Sequence, residues 1–357
     1  MNIVQVIDSL EVGGAERMAV NYANALSNRI AFSGLVATRN EGSLKSQLDR
    51  KVSYEFLAKK STVDFKAARR LRDYCKLNKV DLIHAHSTSY FIALLVKLLH
   101  PRIGIIWHDH NGMSEFIGSR KPVALKMASF FFKGIIVVNA KLRKWAMDEL
   151  HTRKVIYIPN FTNFQNAGSS ETELKGNPGK RILCLANLRE QKNHVFLVEI
   201  AERIISKYPD WSFHLVGKDF NDEYSARVRH LIENKKLGSS VLLYGSRNDT
   251  SVIIDHCDIG ILTSRSEGLP VSLLEYGFHK MPVVVTGVGE IPEIVINGQN
   301  GFIVPSGQVD EFVKAITSLI ESDELRSQLG MALNQTVASR HSEEAVMEIY
   351  LNWLKKL

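Results

Sequence analysis

The sequence predicts an α/β protein of two tandem doubly wound, Rossmann-like domains that face a central cleft. Short β-rich apolar runs alternate with longer amphipathic segments, as expected for parallel strands joined by crossover helices. The length of 357 residues fits two domains of about 150 residues each. A polar stretch near the middle of the chain interrupts the alternation, so the two halves are expected to fold around separate sheets.

The first domain is predicted over residues 1–162. Its strands are apolar runs, and the segments between them carry apolar residues at the helical period of 3.6. The predicted strands are Ile3–Ile7, Phe32–Ala37, Asp81–Ala85, Ile103–Trp107, Gly134–Val138 and Lys154–Ile158. The predicted helices are Ala15–Leu26, Phe65–Leu77, Ser89–Leu99 and Ala140–Leu150.

A connector is predicted over 163–180, which is polar and rich in Gly, Ser and Asn. Alternation resumes over the second domain, 181–341, with the strand motifs RILCLA, SFHLVG, SVLLYG, IGIL and PVVVT. Helices are expected near Gln308–Glu321 and Glu324–Ser339. A last helix, 342–357, follows a break at Arg340–His341 and is expected to pack back on the first domain. Ligands of doubly wound sheets bind beyond the carboxyl ends of the strands, so the functional residues are expected in the loops there.

Composition and charge exclude several classes of protein. Apolar residues make up 45% and charged residues 23%, which is typical of a folded globular chain. Residues 1–160 contain 25 Lys/Arg and 13 Asp/Glu, a net charge of +12, whereas the remainder contains 20 and 25, a net of −5. A basic half indicates an anionic neighbour such as a membrane surface, nucleic acid or phosphorylated substrate, or else a solubilising surface.

Cysteine usage and hydropathy indicate a reducing compartment. The three cysteines, Cys75, Cys184 and Cys257, are far apart in the sequence and form no C-x-x-C pair. The first residues lack a basic stretch before an apolar run, and no run approaches 18 apolar residues. Neither a signal peptide nor a transmembrane helix is therefore expected.

The densest set of candidate binding residues is SRSEGLPVSLLEYG, Ser264–Gly277. A helix is expected to begin near Gly268–Pro270, directly after the strand IGIL, so its N–H groups can hold a phosphate. Glu267 lies in the loop and Glu275 lies eight residues on. Two carboxylates suit the paired hydroxyls of a ribose or hexose. The alternative is a helix cap at Glu267 and a solvated Glu275.

Three other loops carry candidate residues. Arg189 and Lys192 can clamp a diphosphate, and the alternative is an exposed loop pair. Gly13 and Gly14 precede the first helix and let N–H groups approach an anion, the alternative being a tight turn. His108, in WHDHNG, suits a hydrogen bond to a sugar hydroxyl or polarisation of a reacting group. A metal site is not expected, because H-x-H lacks a third ligand at a recognisable spacing.

SEGLPVSLLEYG resembles the E-x7-E signature of glycosyltransferase family 4, the retaining enzymes of the GT-B fold. GGAER, DLIHAHS, WHDHNG, VVNAKLRKW, YIPNF, NLREQKN, LVGKD and VGEIPEIV–NGFIV are similar to further landmarks of that family, in the family's order. The resemblance covers essentially the whole chain. It implies transfer of a hexose-type sugar from a nucleotide-diphosphate sugar, UDP- or GDP-linked, with retention and with no metal or other cofactor. The implied acceptor is a saccharide or a lipid-linked molecule, in surface polysaccharide or glycolipid synthesis.

The resemblance also implies residue roles. Catalytic roles fall to Glu267, which contacts the donor hexose, to His108, which faces the sugar, and to Lys192. Donor-binding roles fall to Arg189, Lys192, Gly268, Leu269 and Glu275, with Glu275 on the ribose. Gly13 and Gly14 form the phosphate and acceptor loop. Asn187 stands where many members carry Arg, which favours Lys192 over Arg189 as the diphosphate ligand.

In the family, the N-terminal domain usually receives the acceptor, often at a membrane face. The basic residues predicted to hold anionic headgroups are Arg69, Arg70, Arg72, Lys121, Lys126, Arg143 and Lys144. The expected location is cytoplasmic, or peripheral on the inner face of the membrane. Nucleic acid is not an expected partner, because aromatic residues do not interleave with the basic ones. Two alternatives remain, a GT-B-like nucleotide-sugar epimerase and a non-catalytic nucleotide-sugar-binding subunit.

Overall fold

The computed structural model describes residues 1–110, 123–161 and 172–357. The chain forms two compact units, one of Met1–Asn163 together with Glu343–Leu357 and the other of Phe164–Ser342. Each unit contains one parallel sheet with helices between its strands. The prediction of two doubly wound α/β folds is therefore confirmed.

The sheet of the first unit has seven strands in the order β3-β2-β1-β4-β5-β6-β7, and every neighbouring pair is parallel. The strands are β1 (Asn2–Ser9), β2 (Phe32–Asn40), β3 (Ser53–Phe56), β4 (Leu82–His86), β5 (Gly104–Asp109), β6 (Gly134–Val137) and β7 (Val155–Tyr157). The helices between them are α1 (Gly14–Ser27), α2 (Phe65–Leu77), α3 (Tyr90–Leu99), α4 (Val123–Ser129) and α5 (Ala140–Glu149).

The second unit has a six-stranded parallel sheet in the order β10-β9-β8-β11-β12-β13. Its strands are β8 (Arg181–Leu185), β9 (Ser212–Val216), β10 (Val241–Gly245), β11 (Ile259–Leu262), β12 (Val283–Thr286) and β13 (Phe302–Val304). Its helices are α6 (His194–Lys207), α7 (Glu223–Asn234), α8 (Thr250–Asp255), α9 (Val271–Phe278), α10 (Ile291–Ile294), α11 (Val309–Ile320) and α12 (Asp323–His341). The last helix, α13 (Glu343–Leu354), belongs to the first unit.

Burial on both faces explains why the central strands are continuous apolar runs. Every residue of β8, β9, β11 and β12 is buried, as a parallel sheet between two helical layers requires. Helix starts are fixed locally by side-chain caps. Asp64, Asn139, Asp222 and Ser322 each accept a backbone N–H at the start of a helix.

The structure differs from the sequence prediction at the edges of elements. The short strands β3 and β13 were not predicted as strands, because both lie at sheet edges and most of their residues are only half-buried. The predicted break at Arg340–His341 is wrong by one residue, since α12 continues through His341. The predicted connector falls partly outside the described residues. Its described end is bound to the second unit, where Thr172 N–H donates to Asp249 Oδ2 at 2.8 Å.

No helix within residues 1–110, 123–161 and 172–357 combines the length and the apolar character that crossing a bilayer would need.

Four histidines of β4 and of the end of β5 form a layer in which three are buried and His110 is half-buried. His84 Nε2 lies 3.1 Å from His108 Nδ1, and His86 Nδ1 lies 2.8 Å from His110 Nε2. Tyr350 of α13 is hydrogen bonded to His84 Nδ1 at 3.1 Å. Burial lowers the pKa of all four imidazoles, and that of His110 falls to about 3. The four rings are therefore neutral at pH 7, and His84, His86 and His108 belong to the core.

Acid is expected to destabilise the first unit through this layer. Imidazoles of the unfolded chain bind protons near pH 6.5, whereas the buried rings resist protonation down to about pH 3 for His110. The free energy of unfolding is therefore highest above pH 6.5 and falls as the pH drops, by at most about 1.4 kcal/mol per pH unit for each ring. Urea unfolding at pH 7.5 and 5.5 measures this slope. His110→Gln should flatten it, and the control His100→Gln should not. An unfolding midpoint that is equal at both pH values contradicts the expectation.

Candidate functional site

The candidate site of the second unit lies where the direction of sheet winding reverses. Strands β8 and β11 pair side by side, β9 and β10 lie on one side of them, and β12 and β13 lie on the other. Ligands of open α/β sheets bind outside the carboxyl ends of the strands at this point. The two loops that leave it are 186–193 and 263–270, and they contain the predicted donor-binding residues.

Hydrogen bonds join these two loops directly. Arg265 N–H donates to the carbonyl of Gln191 at 2.8 Å, and the Gln191 side-chain amide donates to the Ser266 carbonyl at 2.7 Å. Thr263 Oγ1 donates to the carbonyl of Lys192 at 3.0 Å. The loops thus form one surface, although about 75 residues separate them in the sequence.

An ion pair between the loops forms the centre of the site. Lys192 Nζ lies 2.5 Å from Glu267 Oε1, and Ser264 Oγ donates to the same carboxylate oxygen at 2.6 Å. The side chain of Glu267 is 5% exposed and that of Lys192 is 22% exposed. The carboxylate is therefore buried and held by two donors, while part of the lysine side chain stays open to solvent.

Gly289 fixes the backbone beneath this carboxylate. Its φ is +60°, and a Cβ there would lie 2.1 Å from the carbonyl oxygen of Glu267. Glu290 N–H donates to the carbonyl of Gly268 at 3.1 Å. Only glycine readily adopts this left-handed conformation and also allows the Glu267 carbonyl to approach so closely. The loop after β12 therefore supports the turn that carries Glu267.

Helix α9 begins after Pro270, and Glu275 is its fifth residue. Glu275 is only 7% exposed and Leu269 is 4% exposed. Glu267 bonds to Lys192 and Ser264, and no side chain caps α9. The alternative of a capping Glu267 with a solvated Glu275 is therefore not what the structure contains.

Arg189 makes a different contact from Lys192. Its guanidinium carbon lies 4.7 Å from the centre of the Phe220 ring, a cation–π contact on an exposed residue. Asn187 accepts a hydrogen bond from Lys218 N–H at 2.8 Å. The structure thus brings Lys192 to Glu267, whereas the role of Arg189 at a diphosphate stays a prediction.

In the first unit, Gly13 and Gly14 lie at the start of α1. The φ of Gly13 is −165°, which is extended backbone that any residue adopts. A Cβ at Gly14 would meet nothing within 4 Å, and one at Gly13 would meet only the flexible side chain of Glu16. Neither backbone conformation nor rigid packing requires these glycines, so the tight-turn alternative does not explain them. Their role toward a phosphate or acceptor stays a prediction.

His108 lies inside the histidine layer and is 1% exposed. Its Nε2 is buried, with no hydrogen-bond partner among the described residues. The residues that follow this strand, 111–122, are outside the described residues. The catalytic role of His108 toward a sugar therefore stays a prediction.

The same layer contains three described histidines whose ring nitrogens lie close enough together to hold a metal ion. One ring nitrogen from each of His84, His86 and His108 lies within 4.8 Å of the others. Sequence spacing missed this group because its members come from paired strands, with His86 opposite His108 in the β4–β5 register. Both ring nitrogens of His84 and of His86 already have hydrogen-bond partners, among them Gln5 Oε1 at 2.8 Å. Hydrogen bonds therefore occupy the ring nitrogens of His84 and His86, and the absence of a metal site stays a prediction.

Comparison with known proteins identifies the family of each unit. Residues 12–166 match the model "Glycosyltransferase Family 4", and residues 169–335 match "Glycosyl transferases group 1". The chain is 25% identical over 338 residues to the UDP-Gal:alpha-D-GlcNAc-diphosphoundecaprenol alpha-1,3-galactosyltransferase of Escherichia coli, covering 87% of this chain and 85% of that protein.

Two further proteins extend the comparison. The poly(ribitol-phosphate) alpha-N-acetylglucosaminyltransferase of Staphylococcus aureus is 23% identical over 61% of this chain and 43% of its own length. The crystal structure of Anabaena HepE in complex with UDP and glucose superposes with a TM-score of 0.83, at 18% identity and over 100% of both chains. This likeness agrees with the predicted GT-B fold. The matches of both units, in the order that the sequence motifs predicted, show that the chain belongs to the glycosyltransferases of family 4, with a group 1 glycosyl transferase domain in its second unit.

Proposed function

We propose that this chain is a retaining, metal-independent hexosyltransferase that uses a nucleotide-diphosphate sugar, with the donor bound at the winding reversal of the second unit. The observation that carries the proposal is the Lys192–Glu267–Ser264 group at the carboxyl ends of β8 and β11. A cation beside a buried carboxylate, in front of the start of α9, matches the opposite charges that donor cleavage creates. The relative that acts on a diphosphoundecaprenol substrate and the structure that contains UDP support a UDP-sugar donor and a lipid-linked acceptor.

The charges that form when the sugar–diphosphate bond breaks determine the role proposed for each residue. Cleavage of the sugar–diphosphate bond leaves negative charge on the diphosphate, which Lys192 stabilises together with backbone N–H groups at Gly268 and Leu269. Positive charge grows on the sugar ring, and the carboxylate of Glu267 offsets it. Glu275 binds the ribose hydroxyls from the side of α9. A protein cation in this position performs the neutralisation for which other transferases recruit a metal.

Glu267→Gln is expected to lower kcat by about 100-fold with little change in donor affinity, because the amide keeps the size and loses the charge. Lys192→Met is expected to weaken donor binding and also to lower kcat. The Lys192 ammonium contacts the diphosphate both in the bound donor and in the transition state. Transfer kinetics and calorimetric titration with UDP-sugars measure the two effects. Glu199→Gln and Lys314→Met, on exposed residues of the same unit, are the matched controls. Wild-type kinetics in the Glu267 and Lys192 variants would refute the assignment.

Product stereochemistry tests the retaining mechanism. Proton NMR of the first product formed from an α-linked donor should show an α-linked sugar. A β-linked product contradicts retention. Donor consumed without acceptor, with an epimeric nucleotide sugar released, would instead indicate the epimerase alternative.

Chelation tests metal independence. Transfer by protein dialysed against EDTA should equal that of untreated protein, because Lys192 and the start of α9 supply the positive potential. The histidine layer should likewise yield no stoichiometric metal by elemental analysis. Loss of activity that added Mg²⁺ or Zn²⁺ restores would overturn the metal-free mechanism.

We infer that an anionic membrane surface is a partner of the first unit, through α4 and α5. Exposed basic and apolar residues lie on these two helices and on the two residues that directly follow α4. The basic ones are Lys126, Arg143 and Lys144, and the apolar ones are Val123, Met127, Phe130, Phe131 and Met147. Basic residues draw such a surface to anionic headgroups while apolar side chains enter the interface. Of the other predicted residues, Arg70 and Arg72 are paired with Glu55 and Asp73, and Lys121 lies outside the described residues.

Charge reversal at Lys126, Arg143 and Lys144 together is expected to abolish binding to vesicles that contain anionic lipid, since each basic residue contributes about 1 kcal/mol. Vesicle sedimentation at low and physiological salt measures it. The same reversal at Arg227, Lys236 and Lys314, exposed on the second unit, controls for net charge. Unchanged binding would argue for a soluble acceptor.

A further inference from the structure

A second charged group lies at the carboxyl edge of the first unit's sheet, away from the histidine layer. We call it the Asp8 cluster and define it as Asp8, Thr38, Arg39, Lys59 and Thr88. Asp8 is in β1, Thr38 and Arg39 are in β2, and Lys59 and Thr88 follow β3 and β4. Strands β1 and β4 pair at the winding reversal of this sheet. The cluster therefore occupies the place in this unit where a doubly wound sheet binds its ligand.

Lys59 is buried in an unusual way for a lysine. Its side chain is 2% exposed, and its ammonium nitrogen lies 3.7 Å from Asp8 Oδ1. Burial lowers the pKa of Lys59, the nearby charge of Arg39 lowers it further, and Asp8 opposes the shift. Among the described residues, the attraction of Asp8 thus offsets only part of the effect of burying this charge.

Asp8 is shared by several donors and does not serve Lys59 alone. Thr88 Oγ1 donates to Asp8 Oδ2 at 2.6 Å, Thr38 Oγ1 donates to Oδ1, and Arg39 Nε lies 3.9 Å from Oδ1. Two cations therefore share one carboxylate, and the cluster carries a net charge of +1. The next carboxylate that influences Lys59, Asp64, accepts the N–H groups of Lys60 and Ala67 at the start of α2.

The backbone on both sides of the cluster adopts the left-handed conformation without glycine. Ala58, which precedes Lys59, and Ser87, which precedes Thr88, each have a φ of +50°. Such residues cost about 1–3 kcal/mol each and cluster at binding and active sites. Two of the seven non-glycine residues with positive φ in the described part of the chain therefore directly precede members of the cluster.

We propose that Lys59 and Arg39 bind a phosphate group of the acceptor, with Asp8 and Thr88 holding the two cations in place. This inference rests on the proposed transferase function and specifies the acceptor class. A bound phosphate would balance the net positive charge of the cluster. The Arg39 guanidinium offers paired N–H donors to the phosphate oxygens, and the Lys59 ammonium offers a compact positive charge. Two sources share this chemistry, a lipid-linked diphosphate and a phosphorylated polyol chain, and the experiment separates them.

Binding of inorganic pyrophosphate tests the site without any reaction. The titration uses the full chain with Lys192→Met, so that the donor site does not contribute, at low salt and with calorimetric detection. Adding Lys59→Met is expected to weaken pyrophosphate binding at least tenfold, and adding Arg39→Met should weaken it several-fold. Lys60→Met changes the exposed neighbour and should leave binding unchanged. Equal affinity in the Lys59, Arg39 and Lys60 variants overturns the proposal, and thermal unfolding of each variant verifies that it is folded.

Kinetics then separate this inference from the transferase proposal. With Lys192 intact, Lys59→Met should raise the KM for a phosphorylated acceptor at least tenfold while slow hydrolysis of the donor continues at the wild-type rate. A larger effect with a polyprenyl-diphosphate sugar than with ribitol phosphate identifies the lipid source, and the reverse identifies the polymer. An unchanged KM for both acceptors refutes the phosphate site while transfer itself stands. Pyrophosphate bound through Lys59 in a protein that transfers no sugar would refute the transferase proposal and the acceptor assignment, while the anion site itself would stand.

Discussion

The parallel pairing of β8 with β11 is the constraint on which the candidate donor site depends. Both strands end at the same edge of the sheet, and the chain leaves them toward opposite sides. The loops after them therefore meet without a helix between them. Lys192 reaches Glu267 across 75 residues of sequence only because of this pairing. The hydrogen bonds of Gln191 and Thr263 keep the two loops in that register.

The first unit uses the same topology for two kinds of polar chemistry. Within the sheet layer, His84, His86 and His108 lie neutral and hydrogen bonded, and α13 contributes Tyr350 to complete them. At the carboxyl edge, Asp8 gathers hydroxyls and cations from three neighbouring strands and loops. Buried polar groups cost free energy unless they are paired. Hydrogen bonds inside the histidine layer offset this cost for His84 and His86 but leave His108 Nε2 without a partner among the described residues, whereas Lys59 and Arg39 share the single carboxylate of Asp8.

Sequence reasoning recovers most of what local patterns determine. The helix Phe65–Leu77 has the predicted bounds, and each predicted strand of the first unit is found within a few residues. Long apolar runs and caps suffice for these elements. The edge strand Ser53–Phe56 is not predicted, because a partly buried strand needs no continuous run of apolar residues. The fold class therefore follows from the pattern, while edges and boundaries depend on packing.

Only part of the candidate site is visible in the sequence. Glu267 and Glu275 can be identified from the sequence, because both lie within one short strand–loop–helix segment. The Ser264 bond to Glu267, the support from Gly289 and the histidine register depend on which strands pair. The one available signal for Gly289 was a glycine-rich loop after a strand, which by itself predicts only a turn. Contacts between loops that are distant in sequence can be predicted only once the order of the strands in the sheet is known.

The Lys192–Glu267 pair also fixes a protein cation at the junction of the two loops. Glu267 is buried and already carries a hydrogen bond from Ser264, so the carboxylate is fixed before any ligand arrives. It holds the Lys192 ammonium at the loop junction, and the exposed part of that side chain leaves the charge accessible to an anion. A fixed charge loses little reorganisation energy when negative charge develops beside it, whereas a mobile surface lysine would have to be ordered first. Because the loops, Gly289 and the ion pair constrain one another, the position of the Lys192 ammonium is a property of the folded unit.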